Sequence, residues 1–220
     1  MSAVSASRSK IRGVGGTSRF ARLRSLCGDL QAWRANEDLK VLEAAKGSAL
    51  VLPFVKGLRL SAQLIYILRG ELSDTPLEVD WGHLLDDHDK SCSPECDVII
   101  HHKGHAGEWN GSTQPVMHFK FVKKDHAVAV ISCKSLTKSV DGEYAKKLRP
   151  YVKHVFLFAE CCPPGKEASL RKKAKEAGYA GFGLLYTYDE KTGDISNNEK
   201  GWDKFLDAIA SKVKRASKVK

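Results

Sequence analysis

The sequence predicts an α/β fold in which a central mixed β-sheet is flanked by helices. The first observation behind this prediction is a pair of short apolar runs, at residues 97–100 and 127–133, which resemble strands buried on both faces. The second is the alternation of strand-like and helix-like segments in the C-terminal half. With 220 residues, 42% of them hydrophobic, the chain is long enough to bury one sizeable core.

The N-terminal half is predicted to contain two helices and four extended segments. Helical spacing of apolar residues predicts helices at 30–45 and 58–68, and Pro53 and Gly57 indicate a break between them. The polar segments between the strands are a loop rich in His, Gly and Asn at 101–114 and a turn at 123–125. The predicted extended segments are residues 77–85, 97–100, 116–122 and 127–134.

The C-terminal half is predicted to continue the sheet with strands at 154–159 and 182–188. The predicted helices are residues 142–148, residues 167–177 and a last helix that begins near Asn198. Cys161 and Cys162 adjoin two prolines, which indicates a turn. The last helix is predicted to lie on the sheet through one apolar face, formed by Trp202, Phe205, Leu206, Ile209 and Val213.

The positive charge of the chain is concentrated at its two ends. The net charge is +10, from 36 basic and 26 acidic residues. Residues 1–28 contain 6 basic residues and residues 212–220 contain 5, with no acid in either segment, so 25 basic residues remain against 26 acidic ones. We therefore predict a basic arm (1–28), one near-neutral domain (29–211) and a basic tail (212–220). Basic arms favour sequence-independent attraction to nucleic acid.

The chain ends and the cysteines also bear on where the protein resides in the cell. Residues 1–28 also share the Ser- and Arg-rich, acid-free composition of organelle transit peptides, although a Gly-rich stretch at 13–18 would interrupt a targeting helix. No apolar segment approaches the roughly 20 residues that span a bilayer, and no secretory signal is present. We therefore expect a soluble cytoplasmic protein, without a membrane partner, whose six cysteines are reduced.

Asp97 and Lys134 are the main candidate site residues. Asp97 opens one apolar strand and Lys134 ends another. A carboxylate and a lysine at the ends of neighbouring strands can hold a divalent cation beside a positive charge, an arrangement that suits phosphodiester hydrolysis.

The two segments resemble motifs of a known family. The pattern Ser-x-Glu-x-Asp-Val-Ile-Ile at 93–100, followed after a variable loop by Ala-Val-Ile-x-x-Lys-Ser-Leu at 129–136, resembles the PD-(D/E)xK nuclease superfamily. The nearest branch contains effector nucleases of bacterial anti-phage defence. The resemblance covers about residues 60–190. It implies a restriction-endonuclease-like core, Asp97 as a metal-binding carboxylate, Lys134 as the family's lysine and magnesium as the usual cofactor.

The sequence departs from the family at Ser132, where the motif normally has Asp or Glu. A hydroxyl is a poorer ligand for a hard dication than a carboxylate. Some restriction enzymes of the superfamily recruit a glutamate from the following helix, and Glu143 is the candidate for that role here. Glu95 and Glu71 are weaker candidates, and strand alternation places Glu95 on the same face as Asp97.

The sequence thus predicts a nuclease that uses Mg²⁺ or Mn²⁺ and acts on DNA in preference to RNA. A homo-oligomer is compatible with this prediction. The first alternative is an inactive nuclease-like fold that binds nucleic acid or serves assembly. The second is a zinc-stabilised domain that uses Cys92, Cys96 and His101, with His102 and His105 nearby. The candidate nucleic-acid-binding residues are Arg171, Lys172, Lys173, Lys175, Lys212, Lys214 and Arg215.

Overall fold

The computed structural model describes residues 48–108 and 119–216, with side chains over 57–107 and 119–215. Within these residues the chain forms four α-helices and eight strands. The helices are α1 (Ser48–Glu71), α2 (Gly142–Leu148), α3 (Glu167–Glu176) and α4 (Glu199–Ala216). The strands are β1 (Leu77–Leu85), β2 (Cys96–His102), β3 (Ala106–Glu108), β4 (Phe119–Lys123), β5 (Ala127–Leu136), β6 (His154–Cys162), β7 (Gly181–Tyr188) and β8 (Ile195–Asn197).

The eight strands form one mixed sheet in the order β3-β4-β1-β2-β5-β6-β7-β8. Parallel pairs join β5 to β6, β6 to β7 and β1 to β4, and the remaining neighbours are antiparallel. The predicted mixed sheet flanked by helices is therefore confirmed. Because β2 runs antiparallel to β5, the start of β2 and the end of β5 lie at the same edge of the sheet.

Helices cover both faces of this sheet. On one face, α1 and α4 pack on the central strands through residues such as Leu64 and Trp202, which are fully buried. On the other face, α2 and α3 contribute Leu148 and Leu170 to a second apolar cluster. Strands covered on both faces need apolar residues at successive positions, which explains the continuous runs in β2 and β5.

The predicted apolar face of the last helix is confirmed. All five of its residues are buried, and Phe205 stacks on Phe158 of β6 at 5.9 Å between ring centroids. Gly183 of β7 allows this close packing, since a Cβ atom there would lie 2.5 Å from the Phe205 ring.

The structure differs from the sequence predictions at α1 and at the end of β6. Helix α1 continues through Pro53 and Gly57, so the predicted break is wrong. A proline in the second turn removes one backbone hydrogen bond, and the packing of the later turns maintains the helix. Cys161 and Cys162 belong to β6 and are fully buried, so the predicted turn there is wrong. The strand ends only where Pro163 removes a donor.

Further differences concern shorter segments and the chain ends. β2 extends to His102, and β3 and β8 occupy three residues each, too few to show a pattern in the sequence. Lys212 and its neighbours to Ala216 lie in α4 and not in a separate tail. The predicted arm at 1–28, the predicted helix at 30–45 and residues 109–118, which include the end of the predicted loop and the start of the predicted strand at 116–122, lie outside the described residues.

A bulge in β1 shapes the edge of the sheet next to the site. The register of β1 with β2 shifts between Asp80 and Gly82. Gly82 is required there because a Cβ atom would lie 1.8 Å from the carbonyl oxygen of Lys120 on β4. The neighbouring Trp81 is half-buried beside the start of β2.

Among the described residues, no helix has the length and apolar character that a bilayer crossing requires. The five described cysteines are all free thiols.

Candidate active site

A cleft of about 440 Å³ opens where β5 ends and β2 begins, between α1 and α2. The structure brings together four of the residues singled out in the sequence, since the cleft is lined by Glu95, Asp97, Ser132 and Lys134. The β2–β5 register explains the grouping. Val98 pairs with Ile131, which places Asp97 opposite Ser132, and Lys134 follows two residues later on the same face.

Asp97 is the most perturbed acid of the cleft. Its Oδ2 accepts a hydrogen bond of 2.7 Å from the backbone N–H of Cys133. Burial raises the pKa of the Asp97 carboxyl, although the Cys133 N–H, the Lys134 charge and a hydrogen bond with Ser132 act in the opposite direction. The protein therefore holds this carboxylate in a place where its negative charge is incompletely compensated.

Lys134 has its side chain exposed at the mouth of the cleft. Within the described part of the chain it makes no hydrogen bond or ion pair. Its charge acts on Asp97 without direct pairing. The ammonium group is thus available to an anionic ligand.

Glu95 supplies a second carboxylate, held in place by residues that sequence reasoning missed. The indole N–H of Trp81 donates to Glu95 Oε1 at 2.7 Å, and the hydroxyl of Tyr144 donates to the Glu95 backbone carbonyl at 3.2 Å. Both aromatic residues line the cleft. No local pattern reveals them, because Trp81 comes from the β1 bulge and Tyr144 from α2.

The structure does not bring Glu143 into the cleft, contrary to its predicted role as the substitute carboxylate. Its side chain is 71% exposed and pairs with Lys146 at 2.7 Å. Tyr144 is the residue of α2 that faces the cleft, and neighbouring helix positions point about 100° apart, so Glu143 turns towards solvent.

The oxygen atoms of the cleft fit a hard divalent cation. Asp97 and Glu95 offer carboxylates and Ser132 offers a hydroxyl, and Mg²⁺ prefers oxygen ligands of this kind. The raised pKa of Asp97 supports the fit, since a bound cation would supply the missing compensation. Glu71, the weakest of the predicted carboxylates, does not line the cleft.

A different acidic cluster involves Glu78, Asp80 and His101, whose ligand atoms lie within 4.8 Å of one another. In this cluster the Arg69 guanidinium already supplies a positive charge beside Asp80. Arg69 Nη2 lies 2.6 Å from Asp80 Oδ1, and His101 Nε2 lies 2.8 Å from Asp80 Oδ2. This cluster is therefore satisfied by the protein itself and does not fit a metal ion.

The predicted zinc ligands are not brought together. His101 uses its Nε2 on Asp80 and its Nδ1 on the carbonyl of His102. Among the described residues, the only metal-like group of three is the one that contains Asp80, and it includes neither Cys92 nor Cys96. Burial raises the pKa of the Cys96 thiol to about 12, which disfavours the thiolate that zinc needs.

The predicted nucleic-acid-binding residues divide between two settings. Arg171, Lys172, Lys175 and Lys212 line a second cleft, between α3 and α4, which we call the basic cleft. Lys173 is exposed on α3 outside it. Lys214 and Arg215 are exposed on the last turn of α4.

The mixed sheet and its flanking helices define a protein of restriction-endonuclease-like fold. No family model matches the chain, and no curated protein matches it.

The fold of the chain is similar to that of two solved structures. The chain is similar to P. aeruginosa ATCC27853 NucC in its cAAA-bound form, with a TM-score of 0.54 at 15% identity over 91% of this chain and 92% of that one. It is also similar to E. coli MS115-1 NucC in its cAAA-bound form, with a TM-score of 0.52 at 12% identity over 92% of both chains. At these identities the likeness establishes the architecture alone.

Proposed function

We propose that the protein is a metal-dependent nuclease that hydrolyses phosphodiester bonds of DNA at the Asp97–Lys134 cleft. The observation that carries the proposal is the under-compensated carboxylate of Asp97, which shares the cleft with Lys134, a cation without an ion pair among the described residues. Such pairs of perturbed and unpaired groups in a cleft are typical of catalytic sites. The NucC-like fold agrees with this class of activity.

Asp97 and Glu95 would hold a divalent ion, Mg²⁺ or Mn²⁺. When bound, such an ion polarises the scissile phosphate and lowers the pKa of an attacking water.

The chain's own residues orient the reacting groups. The Cys133 N–H fixes the Asp97 carboxylate, and the Trp81 indole fixes that of Glu95. Lys134 Nζ would donate to a phosphoryl oxygen as its negative charge grows.

Cleavage of duplex DNA by the purified full chain tests the proposal. Because both NucC structures are cAAA-bound forms, each assay is run with and without cAAA, in Mg²⁺ and in Mn²⁺. Asp97→Asn and Lys134→Met should each lower the cleavage rate by about 100-fold or more. Glu143→Gln, which changes an exposed acid outside the cleft, is the matched control and should cut like the wild type.

Undiminished cutting by Asp97→Asn would overturn the assignment of the site. Circular dichroism of each variant establishes that the fold is retained.

A second candidate function is a nuclease-like fold that binds nucleic acid without cutting it. The observation that favours it is Ser132, whose hydroxyl stands where the family's motif has a carboxylate and is only 1% exposed. Under this function the wild type binds DNA and fails to cut in all arms. Ser132→Asp should then raise affinity for Mn²⁺, measured by calorimetry.

A further inference from the structure

The basic cleft lies away from the candidate active site. It has a volume of about 660 Å³ and is lined by residues from α3, from α4 and from the start of β7. In the register of the sheet, Lys134 lies opposite Ala159 of β6, whereas Gly181, which lines the basic cleft, lies opposite Phe156, three residues nearer the start of β6. At about 3.3 Å per residue, these two positions lie about 10 Å apart along the strands.

Lys212 also lies near the amino end of β6, beside His154. Burial lowers the pKa of His154, and the nearby charges of Lys212 and Lys153 lower it further. These cations therefore gather at the amino ends of the parallel strands, whereas Lys134 lies at the carboxyl end of β5.

The charged side chains that line the basic cleft are all positive. Four cations line it and no carboxylate does. Two of them are partly paired from outside, Arg171 with Glu167 at 2.8 Å and Lys172 with Glu176 at 3.9 Å. Lys175 and Lys212 make no side-chain hydrogen bond or ion pair within the described residues. This concentration is local, because the domain from 29 to 211 is near neutral.

The chemistry of the surface favours a phosphate backbone over other anionic partners. Lysines on two helices present point charges over an open surface, which suits a run of phosphates and requires no particular base sequence. Stable anchoring in a lipid surface needs exposed apolar groups beside the basic ones. The one large hydrophobic residue exposed among the described residues is Tyr66, on α1, which does not line the cleft.

We propose that the basic cleft binds the phosphates of duplex DNA at a second position, at the opposite edge of the sheet from the active-site cleft. This inference rests on the proposed function in taking DNA as the ligand. The basic cleft holds substrate and takes no part in the chemical step.

The test compares two triple variants of equal charge change. One is Lys172→Gln, Lys175→Gln, Lys212→Gln, in the cleft. The control is Lys166→Gln, Lys200→Gln, Lys204→Gln, at exposed positions immediately before α3 and on α4, outside the cleft. Binding of a 5′-fluorescein-labelled duplex of about 30 base pairs is measured by anisotropy in metal-free buffer between about 50 and 200 mM salt, the range over which phosphate contacts are strongly screened.

The cleft variant should lose about 10- to 100-fold in affinity, and its slope of log affinity against log salt should fall by about 2.7, at about 0.9 per phosphate contact. The control should retain its affinity within about twofold, because exposed lysines away from the contact act only through screened long-range charge. Equal losses in both variants, or no loss in the cleft variant, would overturn the inference. So would loss of binding to phosphatidylserine vesicles with DNA binding unchanged.

Failure of this inference is distinguishable from failure of the proposed function. If the wild type never cuts DNA but the cleft variant binds DNA more weakly than the control variant, the proposal for the basic cleft holds and the nuclease proposal is wrong. If Asp97-dependent cutting persists with unchanged KM in the cleft variant, only the basic cleft falls. The supporting kinetic result is a raised KM with an unchanged kcat.

Discussion

Asp80 on β1 and Asp97 on β2 are carboxylates of neighbouring strands whose pKa values shift in opposite directions. Burial raises the pKa of both groups. At Asp80 the hydrogen bonds and charges of His101 and Arg69 outweigh burial, and the pKa falls below its ordinary value. At Asp97 the backbone N–H of Cys133 and the charge of Lys134 do not outweigh it.

The difference separates a structural acid from a candidate catalytic one. Asp80 is bonded on one oxygen by the Arg69 guanidinium and on the other by the His101 imidazole, so its charge stabilises the junction of α1, β1 and β2. At Asp97 the protein offsets the burial of the carboxyl only in part, which costs stability and leaves room for a metal ion and a phosphate. Proximity of potential ligands alone is therefore a poor guide: the one group of three potential metal ligands found among the described residues contains the structural Asp80 and not Asp97.

The largest expected effect on stability is at Asp80. Asp80→Asn removes the charge that pairs with buried His101 and with Arg69, and we expect a loss of about 2–4 kcal/mol in the free energy of unfolding at pH 7. Because folding lowers the pKa of Asp80, its contribution is present above the ordinary value of 3.8 and is lost as the pH falls through the folded pKa. Urea unfolding at several pH values measures it. A penalty independent of pH would argue against the charge as its source.

Binding of Mg²⁺ should distinguish Asp97 from Asp80. If Asp97 and Glu95 hold Mg²⁺, a tenfold excess over Kd stabilises the wild type by about 1.4 kcal/mol. The melting temperature of the wild type should then rise with added Mg²⁺, and that of Asp97→Asn should stay constant. A melting temperature of Asp97→Asn that rises equally with Mg²⁺ would place the ion elsewhere.

In metal-free buffer, Asp97→Asn should change the free energy of unfolding in the opposite direction to Asp80→Asn. The amide keeps an acceptor for the Cys133 N–H without a charge to bury, so we expect a gain of about 1 kcal/mol in the free energy of unfolding at pH 7. The folded pKa is raised, so the gain is absent below pH 3.8 and develops as the pH rises through the folded pKa. Destabilisation at pH 7 would show that Asp97 is a structural acid like Asp80.

The smallest effect is expected at Glu143. It is exposed and makes one surface ion pair with Lys146, a kind of pair that contributes about 0.3–0.5 kcal/mol. Glu143→Gln should change the free energy of unfolding by no more than that amount and leave any metal-induced shift intact. Loss of the metal-induced shift in this variant would restore Glu143 as a ligand.

Local patterns in the sequence determined much of this protein. Periodicity alone predicted the buried face of α4 and the strands that carry Asp97 and Lys134, because apolar spacing reports directly on which face an element buries. The mixed sheet followed from the alternation of strands and helices.

Tertiary structure decided the rest. Only folding distinguishes Glu143, turned to solvent, from Tyr144, turned into the cleft, since a difference of one residue on a short helix is a rotation of about 100°. Only the β1 bulge places Trp81 on Glu95, and only the packing of α1 on β1 brings Arg69 to Asp80. These contacts join residues distant in sequence or set by backbone irregularities. The compensation of each buried charge is therefore a property of the fold, whereas the position of each charge on its strand is a property of the sequence.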